Sequence, residues 1–163
     1  MKNVFYYNTK IGKMGIEENG AAITRVFFLT KESQREVAKK EETILLKEAI
    51  KEINEYLDGK RNSFDLPLSP EGTEFQKKVW DALKEIPCGE TRSYGEIAKI
   101  IGNEKASRAV GMANNKNPIM LIIPCHRVIG ANGKLVGYAG GLDIKEKLLN
   151  LEKNYENSKN KIF

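Results

Sequence analysis

Near the start of the chain, apolar and polar residues alternate in three short stretches, 4–7, 13–17 and 22–29. A period of two predicts half-buried strands. Asn19-Gly20 between the second and third is a hairpin turn signal. The period then lengthens. Leu46, Ile50, Ile53 and Leu57 fall on one face of a helix predicted over 42–57, with Gly59 just past its end. The first third therefore reads as a small sheet with a helix laid on it. Residues 60–72, KRNSFDLPLSPEG, have no periodicity and carry two prolines. This composition marks a linker and predicts two domains, 1–68 and 69–163.

The second part opens on a helix over 73–86, with Phe75, Val79, Trp80, Leu83 and Ile86 as its apolar stripe; Pro87 and Gly89 end it. Ser93 followed by Glu96 matches a capping box, so a second helix starts there, with Ile97, Ile100 and Ile101 inward. After a glycine-containing turn a third helix spans 105–114, its inward face small: Ala106, Ala109, Val110 and Ala113. Two helices joined this tightly read as helix-turn-helix. Residues 120–123 form a strand-like apolar run, and 128–129 and 135–136 flank Asn132-Gly133 as a second hairpin. A helix-turn-helix followed by a hairpin reads as a winged helix. Asp143 opens a last helix with Ile144, Leu148, Leu151 and Tyr155 inward, and the tail from Glu156 is polar and expected to fray.

With 163 residues, about two-thirds of the unfolded surface can be buried without staples. The longest apolar run falls far short of the roughly 20 residues that cross a bilayer, and the first ten residues lack a signal-peptide core. Cys88 and Cys125 make no disulfide framework, which points to a reduced, cytoplasmic setting. Two cysteines and one histidine cannot supply a four-ligand zinc site, and no cofactor-binding motif is present. The net charge is +5, placed unevenly: Lys105, Arg108, Lys116, Arg127 and Lys134 stand in a stretch with no acidic residue. Such a stretch suits an anionic partner such as nucleic acid, or is a solvated face.

The candidate chemistry lies in IMLIIPCHRVIG, where Cys125 precedes the chain's one histidine, His126. An isolated cysteine after an apolar run is usually a core residue, and Cys88 is read that way. Around Cys125, His126 can take a proton and Arg127 adds positive charge, and both favour the nucleophilic thiolate. Adjacent residues of an extended chain point to opposite faces, so a bridging water is needed to carry the proton. The imidazole then needs a carboxylate partner, and Glu146 and Glu152 are the downstream candidates.

The segment 117–152, NPIMLIIPCHRVIGANGKLVGYAGGLDIKEKLLNLE, resembles the signature of the O6-alkylguanine-DNA alkyltransferases. IPCGETRSYGEIA at 86–98 and SRAVGMANNKNP at 107–118 are similar to that family's upstream blocks. The resemblance is dense over 71–153 and implies an α+β chain: a small ribonuclease H-like sheet-plus-helix domain, then a winged-helix-like domain. It implies DNA repair by irreversible, single-turnover transfer of an alkyl group from O6 of guanine, and also O4 of thymine, to Cys125. His126 would be the base acting through water, with Glu152, not Glu146, holding it. Asn117 would shape the pocket turn and Tyr94 would donate to the departing base. Arg108 would fill the stack after the base is flipped. Lys105, Ala109, Arg127 and Tyr94 would meet duplex DNA in its minor groove, while Tyr138, Ala139, Gly140 and Val128 would line the pocket. Ala139 stands where some members have a serine, and Gly140 leaves room for groups larger than methyl. The expected protein is a monomer without membrane or metal. The rival readings are a non-catalytic damage-recognition relative, a winged-helix DNA-binding regulator, and a cysteine hydrolase using Cys125 and His126. No oxyanion loop supports the hydrolase.

Overall fold

The computed structural model describes residues 2–29 and 39–160, with the side chains of 158–160 excepted. The chain divides into two compact units, Met1–Glu71 with Pro118–Met120, and Gly72–Asn117 with Leu121–Phe163. The division thus falls three residues beyond the expected boundary, and it returns a short piece of the second half to the first unit.

In the first unit β1 (Asn3–Thr9), β2 (Gly12–Glu18), β3 (Ile23–Phe28) and β4 (Lys39–Lys40) form one sheet in the order β3-β2-β1-β4. The hairpin at Asn19-Gly20 forms: the Asn19 carboxamide accepts from the amides of Ala21 and Ala22, and Gly20 takes φ +94°. Only a residue at ease with positive φ closes such a turn without strain. Helix α1 (Ile44–Leu57) is capped by Thr43 and buries Leu46, Ala49, Ile53 and Tyr56. Beyond β3 the ladder continues through two single bridges, Ile23 to Leu68 and Val26 to Ile119. The second bridge explains why Pro118–Met120 belongs with this sheet: Val26 donates to the Pro118 carbonyl and accepts from the Met120 amide.

The second unit is built on α2 (Glu74–Lys84), α3 (Tyr94–Ile100), α4 (Ser107–Asn115) and α5 (Leu142–Asn160), with a two-stranded parallel pair, β5 (Arg92–Ser93) and β6 (Val128–Ile129). Reciprocal capping boxes start α2 at Thr73 and Gln76 and α3 at Ser93 and Glu96, the second as the sequence predicts. The core gathers Val79, Trp80, Leu83, Ile97, Val110 and Leu148, and the Trp80 indole donates to the Ala113 carbonyl at 2.9 Å.

Several expectations are corrected. Ile100 is 59% exposed although it shares a helix face with Ile97, because it is the last residue of the short α3. Ala109 is exposed rather than inward, and Met112 beside it is 67% exposed. Residues 120–123 are not a strand. Leu121 takes φ +69°, a left-handed conformation incompatible with extended chain, and the run turns on itself. The second hairpin also fails to form. β6 pairs with β5, and the amide of Gly130 closes a tight turn on the Lys134 carbonyl, leaving 135–136 without a ladder. Helix α5 continues to Asn160 instead of fraying at Glu156, and the last three residues lie outside the description. Its most buried face is Lys145, Leu148 and Glu152, so two charged groups stand where an apolar stripe was expected.

Candidate active site

Cys125 opens a single 3-10 turn, Cys125–Arg127, set up by Pro124. The amide of Cys125 donates to the Ile123 carbonyl and that of Arg127 to the Pro124 carbonyl. The chain therefore turns here, and the strict opposition of neighbouring side chains in an extended strand does not apply. Cys125 is 4% exposed. Asn117 shapes the turn by donating from Nδ2 to the Ile123 carbonyl at 2.7 Å.

Behind the thiol lies a buried ionic cluster. His126 Nε2 is 2.6 Å from Glu152 Oε2. The Arg127 guanidinium donates from Nε to Glu152 Oε1 at 2.7 Å, from Nη2 to Oε2 at 3.0 Å and from Nη1 to the Ile86 carbonyl at 2.6 Å. These bonds hold the Glu152 carboxyl far below the ordinary carboxylate range despite its burial, so it is ionised. An ionised carboxylate only accepts, which places the imidazole proton on Nε2 and leaves Nδ1 as the basic nitrogen. Burial lowers the His126 pKa and outweighs the attraction of Glu152, so the ring is neutral at rest. Of the two carboxylate candidates, Glu146 is exposed and Glu152 is the partner.

Burial pushes the Cys125 thiol up to about 11, against a hydrogen bond from Asn117 and the charge of Lys145, which favour the anion. Two expectations change here. The resting group is a thiol, and Arg127 is not the cation that assists it, because its charge is matched by Glu152. Nor can Arg127 meet DNA, being 6% exposed with its donors turned inward.

The cation that does assist, Lys145, was missed. It is fully buried, and its Nζ donates to the carbonyls of Val128 at 2.6 Å and Val136 at 2.8 Å. A signal was present: Lys145, Leu148 and Glu152 share one face of α5 at spacings of three and seven.

The remaining candidates divide. The Tyr94 hydroxyl donates to the Val136 carbonyl at 3.3 Å, and its ring packs close enough to Gly111 that an added Cβ would sit 3.7 Å away. Tyr138 sets its ring edge-on to His126, centroids 6.5 Å apart. Val128 is wholly buried, so it supports the pocket through its carbonyl instead of lining an open surface. Ala139 is exposed and Gly140 half-buried. Lys105, Arg108 and Ala109 are exposed at or near the start of α4. Cys88 is half-buried, its thiol pushed up to about 12 by burial first and by the Glu152 charge second. Among the described residues no group of His, Cys, Asp and Glu is placed to hold a metal ion.

The model of the 6-O-methylguanine DNA methyltransferase DNA binding domain matches residues 74–154, and that family's ribonuclease-like domain matches residues 4–70. The chain belongs to this family. A methylated-DNA–protein-cysteine methyltransferase of Methanosarcina acetivorans is 72% identical over 106 residues, 65% of this chain and 68% of that one. The constitutive enzyme of that name from Bacillus subtilis is 47% identical over 158 residues, covering 91% and 95%. Among solved structures, the Mycobacterium tuberculosis family member in complex with DNA superposes with a TM-score of 0.87 at 44% identity, over 94% of each chain. Both halves of the chain are thus accounted for as family domains: the sheet-bearing first unit, and the helical second unit that carries Cys125.

Proposed function

We propose that this protein repairs DNA directly, moving an alkyl group from O6 of guanine, and from O4 of thymine, onto Cys125 in one irreversible turnover. One observation carries the reading: a buried thiol on a turn, backed by a neutral imidazole whose far nitrogen is fixed by an ionised carboxylate. That arrangement suits a sulfur that must lose a proton only when it reacts.

The steps balance. The sulfur attacks the sp³ carbon, the S–C bond forms as the C–O6 bond breaks, and the bonding pair goes to the guanine. The thiol proton passes to Nδ1 of His126 through a water, and Glu152 stabilises the imidazolium. The base takes one proton in return, donated by Tyr94 once its hydroxyl leaves the Val136 carbonyl, and the proton held on His126 then passes through water to the tyrosinate, so both side chains end neutral. The product thioether is neutral and a poor leaving group, so each molecule acts once. Because the thiol is buried, the nucleotide has to be extruded from the duplex. Exposed Arg108 fills the gap it leaves, with Lys105 and Ala109 against the backbone and Tyr138, Ala139 and Gly140 around the base. Gly140 admits benzyl-sized adducts. The first unit is read as ribonuclease H-like over 1–68. The rest is winged-helix-like, with a tight turn in place of the wing's strands, acting as a cytoplasmic monomer.

The test is an intact-mass measurement after mixing the protein with duplex DNA carrying O6-methylguanine. One added methyl, absent in Cys125→Ser, is expected; an unchanged mass for the unsubstituted protein overturns the reading in favour of a DNA-binding module.

A further inference from the structure

We infer that the tight turn Pro87–Glu90, between α2 and β5, positions the proton relay of Cys125, His126 and Glu152, with Gly89 as the positioning residue. From behind, the turn fixes Arg127 and Glu152, and through Glu152 it fixes the tautomer of His126. The Glu90 amide closes the turn on the Pro87 carbonyl at 3.1 Å, and Gly89, the residue before Glu90, takes φ +88°. That is the place in a type II turn where positive φ is required.

Three contacts run from this turn to the relay. The carbonyl of Ile86, just before the turn, accepts from Nη1 of Arg127 at 2.6 Å. The Gly89 amide donates to Glu152 Oε1 at 3.5 Å, a long bond. Packing therefore carries more of the hold. The α-carbon of Gly89 lies directly against α5, so that a Cβ there would stand 2.6 Å from Cγ of Glu156 and 3.7 Å from the Glu152 carbonyl oxygen.

The relay needs this support because two side chains share one carboxylate oxygen. Glu152 Oε2 receives Nε2 of His126 at 2.6 Å and Nη2 of Arg127 at 3.0 Å. A guanidinium is a rigid fork that seizes carboxylates bidentately, so an Arg127 free to slide would draw Glu152 off the imidazole. Anchoring Nη1 on the Ile86 carbonyl stops that slide. With Glu152 held, the ring proton stays on Nε2 and Nδ1 stays basic. If the carboxylate moves, the proton is no longer confined to Nε2, and molecules carrying it on Nδ1 have no base for the thiol proton.

This inference rests on Cys125 being the alkyl acceptor, and two readouts keep them apart. The first needs no DNA. The chain has one histidine, so ring-nitrogen NMR of the isotope-labelled protein reports the tautomer of His126 alone. The second is single-turnover methyl transfer from duplex DNA carrying O6-methylguanine. Both are applied to the unsubstituted protein, Gly89→Ala, Glu156→Ala and the double variant. The unsubstituted protein and Glu156→Ala are expected to hold the Nε2–H tautomer and to react alike. In Gly89→Ala the added methyl pushes the turn off α5. Its spectrum should show both tautomers, and transfer should slow by about 10–100-fold. The double variant lacks the Cγ that the methyl would meet, and should regain the single tautomer and most of the rate. A Gly89→Ala protein that keeps the Nε2–H tautomer overturns the inference whatever its rate, since the turn then only supports the fold. A defect that the double variant leaves unrepaired also overturns it, because strain at positive φ, and not contact with α5, is then the cause. If Gly89→Ala does not fold, Gly89→Asn takes its place in both comparisons, since asparagine tolerates positive φ. If the unsubstituted protein transfers no methyl, the alkyltransferase reading falls, while the tautomer comparison still decides on the turn.

Discussion

Glu152 stands 2.6 Å from the imidazole of His126, with both side chains removed from solvent. The same carboxylate binds Arg127 through both of its oxygens. Deleting its charge strands a buried guanidinium, which costs about 3–5 kcal/mol. Glu152→Gln is therefore expected to melt well below the unsubstituted protein, by roughly 2–4 °C per kcal/mol, and to transfer methyl more slowly.

The pH dependence of stability follows from the same pair. Both groups have lower pKa values folded than unfolded, so the unfolded chain binds protons first as pH falls. Stability should decline below about pH 6.5, where an unfolded histidine titrates, and more steeply below about pH 4, where an unfolded glutamate does. In His126→Phe the first decline should vanish and the second remain. Calorimetric melts from pH 7 to pH 3 check both.

Cys125 works in the opposite direction. Its thiol is held up to about 11 from an ordinary 9.0, so the unfolded chain loses its proton first as pH rises. Its ionisation should remove about 3 kcal/mol of stability between pH 9 and pH 11. In Cys125→Ser the alkaline decline should be shallower by that amount, leaving the part due to Cys88, whose thiol burial also pushes up. The methylated protein should show the same shallower decline, since a thioether does not ionise. At neutral pH it should be less stable by about 1–3 kcal/mol, because a methyl group is forced into a packed site. An unchanged midpoint after reaction would contradict this account of the packing.

Arg108 and Arg127 should respond in different assays. Arg108 is exposed, so Arg108→Ala should leave the melting point alone and keep reaction with free O6-benzylguanine. Repair in duplex DNA should slow by about 10–100-fold, the cost of an unfilled stack. Lys105→Ala should lower the salt dependence of DNA binding by about one phosphate contact. Arg127→Ala, by contrast, should unfold the protein before any DNA effect can be read.

Lys145→Met removes the cation that favours ionised Cys125 and leaves the carbonyls of Val128 and Val136 without that donor. A charge-assisted hydrogen bond is worth about 1.5–3 kcal/mol, so the variant should melt lower, and losing the nearby positive charge should also slow methyl transfer at neutral pH. The pH–rate profile should move to higher pH, which a merely structural loss would not produce.

The sequence carried the local structure wherever one residue type has one conformational use. Asn19-Gly20 and the Ser93–Glu96 box are of this kind. It misled where the decisive term was a partner distant in sequence. Arg127 read as a cation facing the thiol or DNA, and Lys145 drew no reading, because charge avoids the interior; only Glu152 and two backbone carbonyls make their burial tolerable. Residues 120–123 read as a strand because apolar content does not reveal a positive φ at Leu121. Ala109 looked inward because alanine suits either side of a helix, and the turn of α4 decided which.

The cluster around Glu152 and the segment bearing Ala139 and Gly140 differ sharply in tolerance. Two charged side chains and a neutral imidazole that satisfy one another in the interior make every single change costly, so they will look frozen in any mutational screen. The half-buried and exposed positions at 139 and 140 carry no such debt. Laboratory evolution toward bulkier adducts should therefore collect its surviving variants there, leaving the proton-handling core untouched.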